Sequence, residues 1–287
     1  MAIRQLLGSL KVVRLFREAA IPSSPAPTQV APEPSAWVGY HHYQTDAVVG
    51  QYCDAHYGPE RCGVSNFSAR LVQQCLVGHS GQPRRRALDL GCAVGRSSFE
   101  LARHFERVCA VDLSPRFIAS ARRLQQRGRL AYQLCEEGEL VSDQLVRLAD
   151  LGLEKHAERV DFIQRNVLHL DDTFCDFDLV LLANLIDRLP RPRRFLAGLH
   201  QRLVTGGTLA IASPYNWLEE FTPRKRWLGG RCRAGAPLTS LQAMTRVLAR
   251  HFELIGDPQD MPFVIRENAR KYQYYVVQLT LWRRTGH

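Results

Sequence analysis

The stretch Arg85-Arg86-Ala87-Leu88-Asp89-Leu90-Gly91-Cys92-Ala93-Val94-Gly95-Arg96-Ser97-Ser98 decides the fold. An apolar strand at Ala87–Leu90 runs straight into two glycines and then a helix. Main-chain amides and a helix N-terminus therefore face a ligand at the strand's carboxyl end. Gly91 and Gly95 let that ligand approach the main chain, with Cys92 and Ala93 between them. The spacing is Gly-x-x-x-Gly, not the Gly-x-Gly-x-x-Gly that admits a dinucleotide pyrophosphate. Asp89, two residues before the first glycine, would repel a pyrophosphate and suits a ligand bearing an ammonium and a sulfonium. The alternative is that Asp89 only caps or buttresses the turn.

Outward from this loop, short apolar runs alternate with helical stretches, the signature of βαβ units and a parallel sheet. Strands are expected at Val108–Val111, Val160–Gln164, Leu179–Ala183 and Thr208–Ala212, with a C-terminal pair near Phe252–Ile255 and Tyr274–Trp282. Helices are expected near Ser97–Phe105, Pro115–Gln126 and Arg193–Leu203. Asp112, ending the second strand, is placed to accept hydrogen bonds from ribose hydroxyls, and Leu113 to pack on a base. After the third strand, Asn166 and Val167 stand where an acid often receives an adenine amino group, and the amide oxygen of Asn166 can do the same. Asn184 opens the polar end of the fourth strand, close to the reacting group. Asp187 and Arg188 follow it and read as a structural pair.

Upstream, Asp46–Tyr57 and Phe67–Val77 carry apolar residues at helical spacing and predict two helices that can form a lid. Residues 129–158 exceed what a compact connection needs and read as an insertion, a hairpin at Ala131–Leu140 and a helix at Ser142–Leu151. Residues 1–36 are basic and acid-poor at the start, then rich in Pro, Ser and Ala. This segment is a leader and linker, either a mitochondrial transit peptide or a disordered or loosely docked extension. Residues 37–287 form one catalytic domain. The eight cysteines have no Cys-x-x-Cys spacing and read as reduced, without a metal site. No apolar run approaches the roughly 18–20 residues of a membrane span, so an intracellular protein, cytoplasmic or mitochondrial, is expected. The net charge of +10 raises nucleic acid as a partner, but the arginine clusters flank different elements without interleaved aromatics and read as solvated surface.

These residues resemble the class I S-adenosylmethionine-dependent methyltransferases over about residues 84 to 285. The resemblance implies an α/β Rossmann-like fold with helices on both faces of a seven-stranded, mostly parallel sheet in the order 3-2-1-4-5-7-6, strand 7 antiparallel. Within that class, Ala87 to Ser97, Asn184-Leu185-Ile186-Asp187-Arg188-Leu189-Pro190, Ser213 to Pro223 and Pro262 to Tyr272 look like the 4-mercaptohistidine N-methyltransferase domain of ovothiol biosynthesis. Tyr43-Gln44-Thr45-Asp46 and His56-Tyr57-Gly58 look similar too. The chain has no room for the iron-dependent sulfoxide synthase that accompanies that domain in its best-known members, and it lacks the His-rich iron-binding region. The resemblance therefore implies S-adenosyl-L-methionine as the cofactor and suggests a small imidazole-like acceptor.

Candidate acceptor contacts are Tyr43, His56, Tyr215, Asn216, Trp217, Arg266 and Arg270. The loop after the fifth strand opens on the edge that carries the glycine loop, so Tyr215, Asn216 and Trp217 can reach the pocket. Tyr215 and Asn184 are the candidate catalytic positions. Arg266 or Arg270 can grip a carboxylate bidentately, and His41, His42 or His56 can orient a substrate or act as a base near neutrality. Each also has a plain structural reading as a surface pair or satisfied core group. Three functions remain open: small-molecule N-methylation, RNA or protein methylation, and a catalytically silent binding module.

Overall fold

The computed structural model describes residues 14–15, 43–233 and 235–286. Its frame is a seven-stranded sheet of β2 (Arg86–Leu90), β3 (Arg107–Asp112), β6 (Val160–Gln164), β7 (Phe177–Ala183), β8 (Leu203–Ser213), β11 (Phe252–Arg266) and β12 (Tyr272–Arg284) in the order β11-β12-β8-β7-β2-β3-β6. The pairs β2–β3, β2–β7, β3–β6 and β7–β8 are parallel, and β12 is antiparallel to β8 and β11. This is the expected order, with β2 as the first strand of the series. β2 and β7 are buried along nearly their whole length, because a parallel strand covered on both faces must be apolar throughout.

Both faces carry helices. On one, α1 (Asp46–Tyr57), α2 (Phe67–Gly78), α3 (Arg96–Ala102) and α4 (Pro115–Arg127) pack over Ala87, Leu179 and Leu181. On the other, α5 (Pro192–Gly198) and α6 (Ser240–Leu248) pack over Leu88, Leu90, Val180 and Leu182. α4 shows why these segments are helical. Ser114 caps its first turn by accepting from Phe117 N, Pro115 occupies the first helical positions, and Gly128 ends it in the left-handed conformation. Its buried residues Phe117, Ile118, Ala121 and Leu124 fall on one stripe.

The insertion differs from expectation. Residues 129–147 form one hairpin, β4 (Arg129–Glu137) with β5 (Leu140–Arg147). The helix expected over Ser142–Leu151 is absent, replaced by β5 and a 3-10 turn at Ala149–Leu151. Leu130 and Val146 are direct cross-strand partners and both are buried, and burial of that pair on one hairpin face outweighs any helical spacing. Of the leader, Arg14–Leu15 pair antiparallel with β5 as β1; the remainder of residues 1–36 lies outside the described residues.

β11 and β12 also run further than expected. Past Gln278, the last partner of β8, they continue as a two-stranded ribbon to Arg266 and Tyr272. The ribbon tip meets the insertion, where Arg266 pairs with Glu136 at 2.6 Å and Ala269 N donates to Glu136 O. α1 lies between ribbon and hairpin. Gly50 of α1 abuts β4 so closely that a Cβ there would fall 2.0 Å from the Gln133 carbonyl oxygen. The expected helical lid is therefore one part of a cap that also includes the hairpin and the ribbon.

Candidate active site

The carboxyl ends of β2 and β3 are held together by backbone and carboxylate. Gly91 N and Cys92 N donate to Val111 O. Asp112 accepts from Ala93 N at 2.9 Å through one oxygen and from Ser114 N at 2.8 Å through the other. Ala93 sits at φ +47°, a conformation a residue with a Cβ keeps only when its surroundings hold it; the Asp112 bond is that restraint. Tyr57 of α1 closes the loop from above by donating to Val94 O at 2.6 Å. Leu113 is half-buried beside Asp112. Asp89 is 1% exposed and accepts from Ser98 of α3 at 2.7 Å, so it buttresses the turn while placing a carboxylate beneath it.

Burial pushes both acids up, Asp89 to about 7 and Asp112 to about 6. The Ser98 hydroxyl opposes the shift at Asp89, and the Ser114 and Ala93 amides oppose it at Asp112. A cationic, ribose-bearing donor prefers both carboxylates ionised. Its affinity is expected to rise as pH increases from about 5 to 8, and Asp89→Asn should flatten the upper part of that rise. Folding runs the other way: with the folded pKa values above the ordinary carboxylate range, these two acids favour the folded state on the acid side and lose that contribution through pH 6–7. His56, His79, His104 and His200 are all lowered, chiefly by burial, and favour folding above pH 6.5. Donor affinity from calorimetry, not melting temperature, is thus the discriminating readout; a pH-independent affinity would contradict the arrangement.

Asn166 caps the 3-10 turn Val167–His169 by accepting from Leu168 N at 3.0 Å. This occupies one lone pair of its amide oxygen and leaves the second, and Val167 beside it is buried.

Asn184 and Tyr215 follow the ends of β7 and β8, both at φ +53°. With Ala93 they place a left-handed non-glycine residue after each of three central strands, and strain of this kind gathers at working sites. The Asn184 Oδ1 is buried and has no partner among the described residues, and the Asp187 Oδ1 shares that condition. The other Asp187 oxygen accepts from Asn216 N at 3.0 Å and from Arg188 at 3.1 Å, and Arg188 also donates to Asn216 O at 2.9 Å. The Tyr215 hydroxyl donates to Gln278 Oε1 at 3.1 Å.

Next to Arg188 lies a packed aromatic cluster. The Tyr43 ring lies 6.0 Å from Tyr52, 6.0 Å from Phe117 and 6.3 Å from Phe221. The Arg188 guanidinium covers the Phe221 ring at 4.9 Å and bonds the Tyr43 hydroxyl, which in turn bonds Tyr52. Tyr275 on the ribbon feels the charges of Arg188 and Asp187. His56 shares α1 with Tyr52, and its buried Nδ1 has no partner among the described residues. Burial and the neighbouring Arg96 push it down to about 3, out of the range of a base near neutrality.

Three expected acceptor contacts lie elsewhere. Trp217 is core: its indole N–H donates to Ser240 Oγ at 2.8 Å and its ring packs among the residues that seat α6. Arg266 is spent on Glu136 at the cap seam. Arg270 is exposed in the β11–β12 turn. His41 and His42 lie outside the described residues. The sequence did not point to Tyr52 or Phe221 as members of this cluster, and Asp187–Arg188 read as a structural pair. The one readable signal was Tyr52, a helical turn before His56 on the same face of α1.

A doubly wound sheet in this order, with a glycine turn after its first strand and an acid ending its second, defines a class I methyltransferase architecture. Residues 88–211 match the family described as a methyltransferase domain. Over those residues the chain carries a methyltransferase domain, for which S-adenosylmethionine is the methyl donor. No curated protein matches the chain by sequence. Among solved structures, magnesium protoporphyrin IX methyltransferase (ChlM) from Synechocystis PCC 6803 with bound S-adenosylmethionine is 14% identical, with a TM-score of 0.51, over 90% of this chain and 100% of its own. The [4+2]-cyclase SpnF is 16% identical, with a TM-score of 0.54, over 88% and 98%. The N-methyltransferase NodS from Bradyrhizobium japonicum WM9 in complex with S-adenosyl-L-homocysteine is 17% identical, with a TM-score of 0.49, over 82% and 98%. At such identities the likeness is one of fold, and a fold that also serves a cyclase does not choose the acceptor.

Proposed function

We propose that the enzyme N-methylates a small histidine-like acceptor, with 4-mercaptohistidine as the first compound to test. The observation that carries this reading is the pair of buried acceptor oxygens without partners among the described residues, Asn184 Oδ1 and Asp187 Oδ1, the latter next to Arg188, which holds Tyr43 and Phe221. A buried oxygen left unpaired costs about 1–3 kcal/mol, which a ligand N–H recovers. A flat heteroaromatic ring with one N–H satisfies one of the oxygens and packs on the aromatic rings, and the second oxygen is left for another N–H donor of the acceptor.

The donor fits the residues present. Asp112 retains lone pairs for ribose hydroxyls, Asp89 supplies negative charge below the loop, and the Gly91 to Gly95 turn exposes main chain to the ligand. S-adenosylmethionine, when bound, supplies a methyl group on a sulfonium that the acceptor nitrogen displaces in line, leaving the neutral thioether. The protein's task is alignment and exclusion of water, worth roughly 7–11 kcal/mol of barrier when the reacting atoms are well placed. A neutral imidazole, with a pKa near 6.5, needs no strong base. Asn184 accepting from the ring N–H turns the other nitrogen's lone pair toward the methyl group, and the free Asp187 oxygen is left to a second donor of the acceptor. Tyr215, tied to Gln278, positions the β8 loop against them.

The test is incubation of purified protein with methyl-labelled donor and a panel of histidine, 4-mercaptohistidine and simple imidazoles. One methyl group is expected to appear on a ring nitrogen of at least one panel member, and Asn184→Ala should lower kcat/KM about 100-fold. Label that passes instead to nuclease- or protease-sensitive material in a cell extract, with every imidazole unmodified, overturns the reading.

A further inference from the structure

The Asp187–Arg188 pair is built in a way that a purely structural ion pair is not. Asp187 is fully buried, yet only one of its carboxylate oxygens is used. Arg188 keeps 23% of its side chain exposed. Its Nη1 bonds Asp187 and the Asn216 carbonyl, and the guanidinium also bonds the Tyr43 hydroxyl. The ring of Phe221 supports its face. The planar fork is thus held in one orientation before any ligand arrives, which is the condition under which an arginine recognises a carboxylate well. Within the same two residues stands a buried carboxylate oxygen that lacks a donor. The pair therefore offers a donor edge and an acceptor atom side by side and contributes no net charge.

We propose that Asp187 and Arg188 together determine acceptor specificity by reading a zwitterionic head group, the α-ammonium at Asp187 Oδ1 and the α-carboxylate at the N–H groups of Arg188 that Asp187, Asn216 and Tyr43 leave free. The acceptor is then a free amino acid with an aromatic or heteroaromatic side chain, its ring held by Tyr43, Tyr52 and Phe221. This places on Arg188 the carboxylate-binding role that Arg266 and Arg270 cannot fill. A net-neutral pair in a buried site selects a zwitterion over a plain cation or anion, because either single charge leaves one member of the pair uncompensated. The inference rests on the small-acceptor reading above and adds which atoms choose among small acceptors.

The experiment is calorimetry on protein saturated with S-adenosyl-L-homocysteine, titrated with histidine, 4-mercaptohistidine, phenylalanine, tyrosine, histamine and imidazolepropionate. At least one aromatic amino acid is expected to bind. For the imidazole series, histidine should bind ten- to hundred-fold more tightly than histamine, which lacks the carboxylate, or imidazolepropionate, which lacks the ammonium. Arg188→Gln should collapse the preference over histamine and keep that over imidazolepropionate. Asp187→Asn should do the converse, and both should bind S-adenosyl-L-homocysteine as wild type does. A merely structural pair would weaken all six ligands together. Should either variant fail to fold, the wild-type ligand series still decides. Equal affinity for histidine, histamine and imidazolepropionate, or no binding of any amino acid, overturns the proposal. Tight binding of amino acids without methylation of any imidazole upholds the pair and removes the histidine-like N-methylation reading instead.

Discussion

Asp112→Ala is expected to weaken S-adenosyl-L-homocysteine binding by about two orders of magnitude in calorimetry. The carboxylate does two things at once. It holds Ala93 N and Ser114 N, and so fixes the relation of the glycine loop to the end of β3. Its remaining lone pairs are the acceptors available to ribose hydroxyls, and a hydrogen bond to a charged group contributes about 1.5–3 kcal/mol. Losing one or two such bonds corresponds to roughly a hundredfold in affinity. Ala93, at φ +47°, loses the bond that holds it there, so the loop is free to relax away from the ligand. Asp112→Asn keeps one oxygen acceptor and should fall between the alanine variant and wild type. A dissociation constant within threefold of wild type for Asp112→Ala would remove Asp112 from the donor site.

The parts legible in the sequence are those fixed by local chemistry or strict burial. β2, β3, β6 and β7 read as apolar runs because both faces of a parallel strand are covered, and the expected Val160–Gln164 coincides with β6. Glycines and caps punctuate the intervening helices, so α1 and α4 begin where Thr45 and Ser114 place them. α6 was equally readable and was passed over: Thr239 and Gln242 form a capping box before its apolar stripe. The ribbon was hidden for a different reason. Gly256-Asp257-Pro258 looks like a chain reversal, whereas it is a bulge between Ile255 and Gln259 after which β11 continues. The helix expected in the insertion failed because spacing in isolation does not reveal a cross-strand partner such as Leu130 for Val146.

The candidate donor half is readable in the sequence because Asp89, the glycine turn and Asp112 lie on one βαβ unit. The candidate acceptor half is not, because Tyr43 and Tyr52, Arg188, and Phe221 come from three segments far apart in sequence that meet only in the folded chain. Aromatic residues in such segments read as core until their neighbours are known. Trp217 illustrates the opposite error, since it stands in the right loop but turns into the core to meet Ser240. Position on the correct sheet edge is therefore necessary for a contact, and the side chain's hydrogen-bond partner decides whether it is made.

Gly95→Ala is expected to lower the unfolding free energy by about 2–5 kcal/mol. Gly95 stands at φ +91°, immediately before α3. A residue with a Cβ in left-handed backbone costs roughly 1–2 kcal/mol. The added methyl would also lie 2.7 Å from two atoms of the Phe162 ring and 3.3 Å from the Ala121 Cβ. Phe162 is core, with Phe99 edge-on at 5.3 Å, so it cannot swing away without displacing a second ring. Overpacking of this kind adds about 1–3 kcal/mol. For a domain of this size each kcal/mol lowers the melting temperature by about 2–4 °C, so a fall of roughly 5–20 °C is expected in a thermal scan. The damage should extend to function: Gly95 N donates to Cys92 O and Gly95 O accepts from Phe99 N, so any shift that relieves the clash moves the loop that faces the donor. The surviving folded protein should bind S-adenosyl-L-homocysteine at least tenfold more weakly. A variant that melts within 2 °C of wild type would mean that Phe162 gives way freely, and that the loop is not seated on the β6 core as described.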